Sequence, residues 1–131
     1  MKLTHEIILG SQSPRRAAFL TSLGLDFRTL PLDIDESAPA HLSGMEVAAY
    51  VSELKAKALC THLKSGQLGI TSDTEVWQNK HRFGKPTDEA SAREMLVALS
   101  GTTHQVISGL TLVTIDNGTP TSTTETSLVT V

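Results

Sequence analysis

The spacing of apolar residues divides the chain into alternating predicted strands and helices. Apolar residues three or four positions apart predict amphipathic helices, because that spacing places them on one helical face. Short apolar runs and alternating apolar and polar positions predict strands. The predicted strands cover residues 6–9, 26–30, 68–72 with an extended continuation at 74–78, 104–115 and 121–131. The predicted helices cover 14–23, a segment from the cap at 43 toward 63, and a segment from the cap at 87 or 88 to the glycine at 101.

Turn residues mark the boundaries of these elements. Ser43-Gly44-Met45-Glu46 has the form of a capping box, Asn79-Lys80 predicts a tight turn, and Asn117-Gly118 predicts a β-hairpin. Because strands and helices alternate, the predicted class is α/β, and the final hairpin makes the sheet mixed rather than purely parallel. The last predicted strand stops at Val131, which would leave an exposed sheet edge, so we expect a fragment of a longer protein.

Composition narrows the class of protein further. The chain has 131 residues, of which 39% are apolar and 19% charged, so we expect one globular domain over residues 1–131. A net charge of −3 argues against general binding to nucleic acid or to an anionic membrane. The N-terminus carries no targeting signal and Cys60 has no second cysteine to pair with, so we expect a cytoplasmic protein.

The run from Leu9 to Arg16 carries the first candidate chemistry. A strand that turns sharply into a helix presents free backbone N–H groups, and these together with the helix dipole favour an anion. Two hydroxyls, Ser11 and Ser13, precede the predicted helix, and Arg15 and Arg16 offer planar donor forks that match phosphate oxygens. The alternative is structural: Ser13 caps the helix, Pro14 fills its first turn, and both arginines are solvated. The run is neither a Walker loop nor a dinucleotide fingerprint.

Three other segments contain candidate residues, each with a structural alternative. The acidic loop at 33–36 is also typical of a solvated loop, and the lysine in Gly84-Lys85-Pro86 is typical of a surface turn. Asp73 directly follows a predicted buried strand, where a charge is costly unless it is paired, caps the strand or binds a ligand. In combination, Glu36 and Asp73 could hold a divalent cation or activate water, while lysines neutralise charge on a phosphoryl group. These are the parts of a metal-dependent attack on a nucleotide phosphate.

Several motifs in a fixed order extend this pattern over nearly the whole chain. They are Ser11-Gln12-Ser13-Pro14-Arg15-Arg16, Asp35-Glu36, Leu54-Lys55-Ala56, Ser72-Asp73-Thr74, Gly84-Lys85-Pro86 and the run from Leu99 to Val106. Together they resemble the motifs of the Maf family of septum-formation inhibitor-like proteins, which are nucleoside triphosphate pyrophosphatases.

The resemblance implies an inosine-triphosphatase-like fold, in which a mixed twisted sheet is flanked by helices, and here without the fold's C-terminal part. It implies hydrolysis between the α and β phosphates, a divalent cation (Mg²⁺ or Mn²⁺) and a possible homodimer. By motif position, Glu36 and Asp73 would hold the metal and the water, with Asp73 as the base. Lys55 and Lys85 would stabilise the phosphates and the leaving pyrophosphate. The implied substrate-binding residues are Ser11, Ser13, Arg15, Arg16 and Thr74.

Two departures and one alternative accompany the resemblance. Thr74 after Asp73 is typical of the subgroup that acts on dTTP, UTP and modified pyrimidine nucleotides, but Glu75 stands where the family usually has an apolar residue. If Glu75 points inward, it needs a partner or a raised pKa. The family also runs on beyond the position of Val131, where a segment contributes to its base pocket. The alternative functions are a nucleotide-binding regulator of septum formation with little or no turnover, and an inert structural fragment.

Overall fold

A six-stranded mixed sheet forms the centre of the computed structural model, which describes residues 4–131. The strands are β1 (Glu6–Leu9), β2 (Phe27–Thr29), β3 (Gln67–Gln78), β4 (His81–Phe83), β5 (Gln105–Asp116) and β6 (Thr119–Thr130). The helices are α1 (Pro14–Ser22), α2 (Gly44–Cys60) and α3 (Glu89–Leu99). None of these helices is both long enough and apolar enough to cross a membrane.

The order of strands is β2-β1-β3-β5-β6, and β4 pairs with β3 outside that path. β1 runs parallel to both β2 and β3, whereas β3, β5 and β6 are successively antiparallel, which confirms the predicted mixed sheet. Leu9 at the end of β1 lies opposite Ile70, so β3 continues past the end of β1. The chain that leaves β1 therefore turns beside residues 71–74 of β3.

Helix α2 covers one face of the sheet. Ser43 caps it through a capping box, in which the Ser43 main-chain N–H donates to Glu46 Oε1 at 3.1 Å, as the sequence predicts. Its fully buried Val51 belongs to a cluster that includes Trp77 of β3 and Ile107 of β5. Gly109 of β5 permits the close packing, because a Cβ there would overlap the main chain of Ala48.

Helix α1 covers the opposite face near β1, where Leu20 packs with Ile7, Leu9 and Ile70. Helix α3 differs from expectation. The apolar face that the sequence pattern gives it is only partly covered: Leu96 is 69% exposed, Ala92, Met95 and Leu99 are half-buried, and no residue of α3 is fully buried. An amphipathic pattern shows which face of a helix could be buried, but it does not show that another element packs against that face.

The remaining differences from the sequence predictions are local. β3 is one continuous strand of 12 residues rather than a short strand with an extended continuation, because its pairing with β5 runs without a break from Leu68 to Trp77. α2 ends at Cys60 rather than near Leu63. β4 lies in a segment for which no strand was predicted, and it forms a hairpin with β3 around the predicted turn at 79–80.

Candidate functional site

A cleft of about 520 Å³ opens at the carboxyl end of β1. Four segments form it: the turn from β1 into α1, the acidic loop before α2, helix α2 through Lys55, and the loop after β4 through Lys85. The predicted site residues that line it are Ser11, Ser13, Arg15, Arg16, Glu36, Lys55 and Lys85. The other two, Asp73 and Thr74, lie on β3 next to this lining, as their contacts below establish.

The turn into α1 is both a helix cap and a wall of the cleft. Ser13 Oγ accepts a hydrogen bond from the Arg16 main-chain N–H at 3.4 Å, and Pro14 opens the helix. Ser11 Oγ accepts from the Ser13 main-chain N–H at 3.0 Å. A Cβ at Gly10 would lie 2.9 Å from the Leu32 side chain, so glycine keeps this turn close to its neighbours. Ser13 therefore caps the helix, as the structural alternative states, and it also lines the cleft.

Arg16 reaches from α1 to β3. Its guanidinium donates to Ser11 Oγ at 3.5 Å and to Thr74 Oγ1 at 3.3 Å. Burial lowers the pKa of Arg16, while the negative charges of Asp73 and Glu36 act in the opposite direction. Arg16 is therefore a partly desolvated cation held beside both acidic groups, whereas Arg15 is exposed at the cleft wall.

Lys55 connects the acidic loop to β3. It is only 9% exposed, although it lies on a helix that otherwise buries mostly apolar side chains. Its Nζ lies 2.8 Å from Glu36 Oε1 and donates to the Ser72 carbonyl oxygen at 3.0 Å. Because a buried ammonium needs such partners, this contact fixes Glu36 of a long loop relative to the strand that carries Asp73.

Asp73 is 4% exposed and has an unusual electrostatic environment. Burial, followed by a hydrogen bond to Glu75 and the negative charge of that residue, raises the pKa of Asp73 to about 7, against the opposing attraction of Lys55. Its Oδ2 atom is buried, and within residues 4–131 no hydroxyl, amide or cationic group donates to it. A carboxylate of this kind can take a proton near neutral pH, and it has an oxygen free for a ligand.

Glu75 points inward and is 5% exposed. Its partner is Arg82, whose Nε donates to Oε1 at 2.7 Å and whose Nη2 donates to Oε2 at 3.1 Å. Trp77 Nε1 also donates to Oε1, at 3.2 Å. Burial acts to raise the pKa of Glu75, but hydrogen bonds from Asp73, Arg82 and Trp77 outweigh it and the pKa is lowered. The expected partner is thus present, and the raised pKa belongs to Asp73 instead.

Arg82 lies beside the site, contacts Glu75 and the Glu36 main chain, and was not among the residues predicted from the sequence. The signal was the Asn79-Lys80 turn, because a hairpin there pairs Arg82 with Trp77 and places its side chain on the face that carries Glu75. Its Nη2 also donates to the Glu36 carbonyl oxygen at 3.3 Å. Arg82 therefore contacts both the strand and the acidic loop.

The carboxylates of Asp73 and Glu36 suit a cation that substrate phosphates would also bind. Across residues 4–131, no three His, Cys, Asp or Glu side chains form a metal-binding group. Mg²⁺ is commonly held by one or two carboxylates together with substrate phosphates and water. The free Oδ2 of Asp73 and the partly exposed carboxylate of Glu36 fit that role.

Curated sequence relatives of this chain are named dTTP/UTP pyrophosphatases. A dTTP/UTP pyrophosphatase of Bacteroides thetaiotaomicron is 46% identical over 114 residues, which cover 86% of this chain and 58% of the relative. A dTTP/UTP pyrophosphatase of Flavobacterium johnsoniae is 40% identical over 106 residues, which cover 81% of this chain and 55% of the relative. The chain thus spans somewhat more than half the length of these curated relatives.

Solved structures share the fold. The Ham1 protein of Staphylococcus aureus superposes with a TM-score of 0.52 at 18% identity, covering 95% of this chain and 70% of that one. A nucleoside-triphosphatase/dITP/XTP pyrophosphatase of Mycobacterium abscessus gives 0.50 at 16% identity, covering 94% and 72%. The expected inosine-triphosphatase-like fold is therefore confirmed. The family described as Maf-like protein matches residues 6–131, and the chain belongs to that family.

Proposed function

We propose that this chain hydrolyses nucleoside triphosphates, with dTTP, UTP or modified pyrimidine nucleotides as the substrate class, to the monophosphate and pyrophosphate. The observation that carries the proposal is the cleft, in which the Ser11–Arg16 turn faces Glu36 and Lys55 beside the buried Asp73. The names of the sequence relatives support the same substrates.

The cationic side of the cleft would bind the polyphosphate. The N-terminus of α1 offers main-chain N–H groups, and Arg15 and Arg16 add charge-assisted donors. Lys85 lines the cleft from the loop after β4 and would neutralise charge on the departing pyrophosphate.

Asp73 would act as the general base. It accepts a proton from a water molecule whose oxygen forms a bond to the α phosphorus, the bond from that phosphorus to the bridging oxygen breaks, and pyrophosphate leaves with the bridging oxygen. Glu36 and Asp73 would hold Mg²⁺ or Mn²⁺, which supplies positive charge at the phosphates when bound. Burial of Asp73 keeps this proton transfer away from bulk water.

The test is pyrophosphate release from a panel of nucleoside triphosphates in the presence of Mg²⁺ or Mn²⁺. We expect release by the parent chain, fastest with dTTP or UTP. The substitution Asp73→Asn keeps the shape but removes the base, and should lower the rate by about 10²–10⁴-fold. Asp116→Asn, at the far hairpin, is the matched control and should keep the parent rate.

Other outcomes distinguish the alternatives. Full turnover by Asp73→Asn would remove this residue from the mechanism. Nucleotide binding without pyrophosphate release would favour the regulator of septum formation. A melting temperature that no triphosphate raises would favour an inert fragment. The possible homodimer and the cytoplasmic location stay predictions, and sedimentation of the purified chain would test the first.

A further inference from the structure

We propose that Arg82 is a positioning residue that holds the two candidate acidic groups, Asp73 and Glu36, in one arrangement. This inference rests on the proposed function and extends it to a residue outside the cleft. Neither Arg82 nor Glu75 lines the cleft, and their polar groups already bond to each other, to Trp77 and to the Glu36 carbonyl oxygen, so we assign neither a contact with the substrate.

The first connection runs through Glu75. Its buried carboxylate lies two residues from that of buried Asp73, on the same face of β3. The planar guanidinium of Arg82 spans both oxygens of Glu75, at 2.7 and 3.1 Å, and so fixes the plane of that carboxylate. Without Arg82, the Glu75 carboxylate would keep only the Trp77 donor, and a second, uncompensated buried charge would lie beside Asp73.

The second connection runs to the acidic loop. The same guanidinium donates to the Glu36 carbonyl oxygen at 3.3 Å. Lys55 Nζ pairs with the carboxylate of the same residue, 2.8 Å from Glu36 Oε1. Arg82 of β4 thus holds the main chain of Glu36, and Lys55 of α2 holds its carboxylate. Arg82 also contacts Glu75, the buried carboxylate beside Asp73.

The first test compares steady-state kinetics of pyrophosphate release from dTTP by Arg82→Met, Glu75→Met and the double variant. We expect Arg82→Met to lower kcat about tenfold or more while KM stays within about threefold, because Arg82 does not touch the nucleotide. Adding Glu75→Met to it should recover part of the lost kcat, because no unpaired carboxylate then remains beside Asp73 while the Glu36 loop stays released.

The control is Arg93→Met, which breaks the exposed Arg93–Glu89 pair on α3 and should keep the parent kinetics. A purely structural role would lower the melting temperature of Arg82→Met and leave kcat of the folded protein unchanged. If Arg82→Met does not fold, Arg82→Lys replaces it. A single ammonium keeps the charge but cannot span both oxygens of Glu75 and the Glu36 carbonyl, so kcat should still fall.

The second test needs no turnover. Hydrogen–deuterium exchange of residues 32–42 should be faster in Arg82→Met and in the double variant than in the parent, and unchanged in Arg93→Met. Parent kcat in Arg82→Met, a double variant no better than Arg82→Met, or unchanged loop exchange each overturns the inference while the proposed function stands. A parent chain that releases no pyrophosphate overturns the proposed function, and this inference with it.

Discussion

Asp73 obtains its chemical character from the strand on which it lies. It follows buried Thr71 on the face of β3 that α2 covers, and it precedes Glu75 on the same face. Two carboxyl groups this close cannot both be charged cheaply, so one is neutralised by a cation and the other keeps a proton more readily. Arg82 neutralises Glu75, and the raised pKa falls on Asp73, where burial is the largest cause and Glu75 adds to it.

This environment predicts how the stability of the metal-free protein depends on pH. The pKa of Asp73 is raised to about 7 in the folded chain, above its ordinary unfolded value, so its contribution is present at low pH and is lost as pH rises through 7. Between pH 6 and pH 8 we expect the free energy of unfolding to fall by about 1 kcal/mol from this residue alone.

Urea unfolding with EDTA at the two pH values measures this change, and Asp73→Asn provides the comparison. The asparagine variant keeps all histidines, so the difference between the two proteins isolates Asp73. Equal pH dependence in both proteins would show that Asp73 titrates far from neutral pH.

At the scale of the elements, the site depends on the close packing of α2 against β5. Gly109 lies opposite Asp73 in the β3–β5 pair, and it lets the main chain of α2 at Ala48 approach the sheet. The same approach lets Lys55, two turns further along α2, reach Ser72 and Glu36. Gly109, which has no side chain, thus influences the position of the Lys55 ammonium in the site.

Gly109→Ala is therefore expected to be destabilising. Its new Cβ would overlap main-chain atoms of Ala48 that cannot rotate away, and overpacking of this kind costs about 1–3 kcal/mol or more. Gly84→Ala is the control, since no atom lies within 4 Å of a Cβ there, and its stability should change by less than about 0.5 kcal/mol. Denaturant unfolding of the two variants measures both effects, and equal stabilities would contradict the close packing.

The elements show which features the sequence could predict and which it could not. The Asn117-Gly118 hairpin was predictable because both residues adopt the left-handed conformation that this dipeptide favours, with φ of 52° and 77°. β4 was not, since three residues are too few for a periodic pattern. Arg82 was missed with it, because a partner for Glu75 can be recognised only after the strand pairing is known.

At the scale of the whole molecule, the motifs in the sequence predicted a cleft. In the fold, the parallel pairing of β1 with β3 brings the Ser11–Arg16 turn beside Asp73. The exposure of α3 was not predictable from its pattern. The chain also spans just over half of its relatives, 58% of the one from Bacteroides thetaiotaomicron. The central claim therefore concerns this cleft: the Ser11–Arg16 turn and the carboxylates of Glu36 and Asp73 face one polyphosphate.

Calorimetric titration with a non-hydrolysable dTTP analogue and Mn²⁺ tests that claim most directly. Arg16→Gln and Lys57→Gln each remove one positive charge, but only Arg16 lines the cleft, and Lys57 is exposed on α2. Loss of a charge-assisted contact to phosphate should weaken binding by Arg16→Gln about tenfold or more, while Lys57→Gln binds like the parent. Equal affinity of Arg16→Gln and the parent would contradict the account.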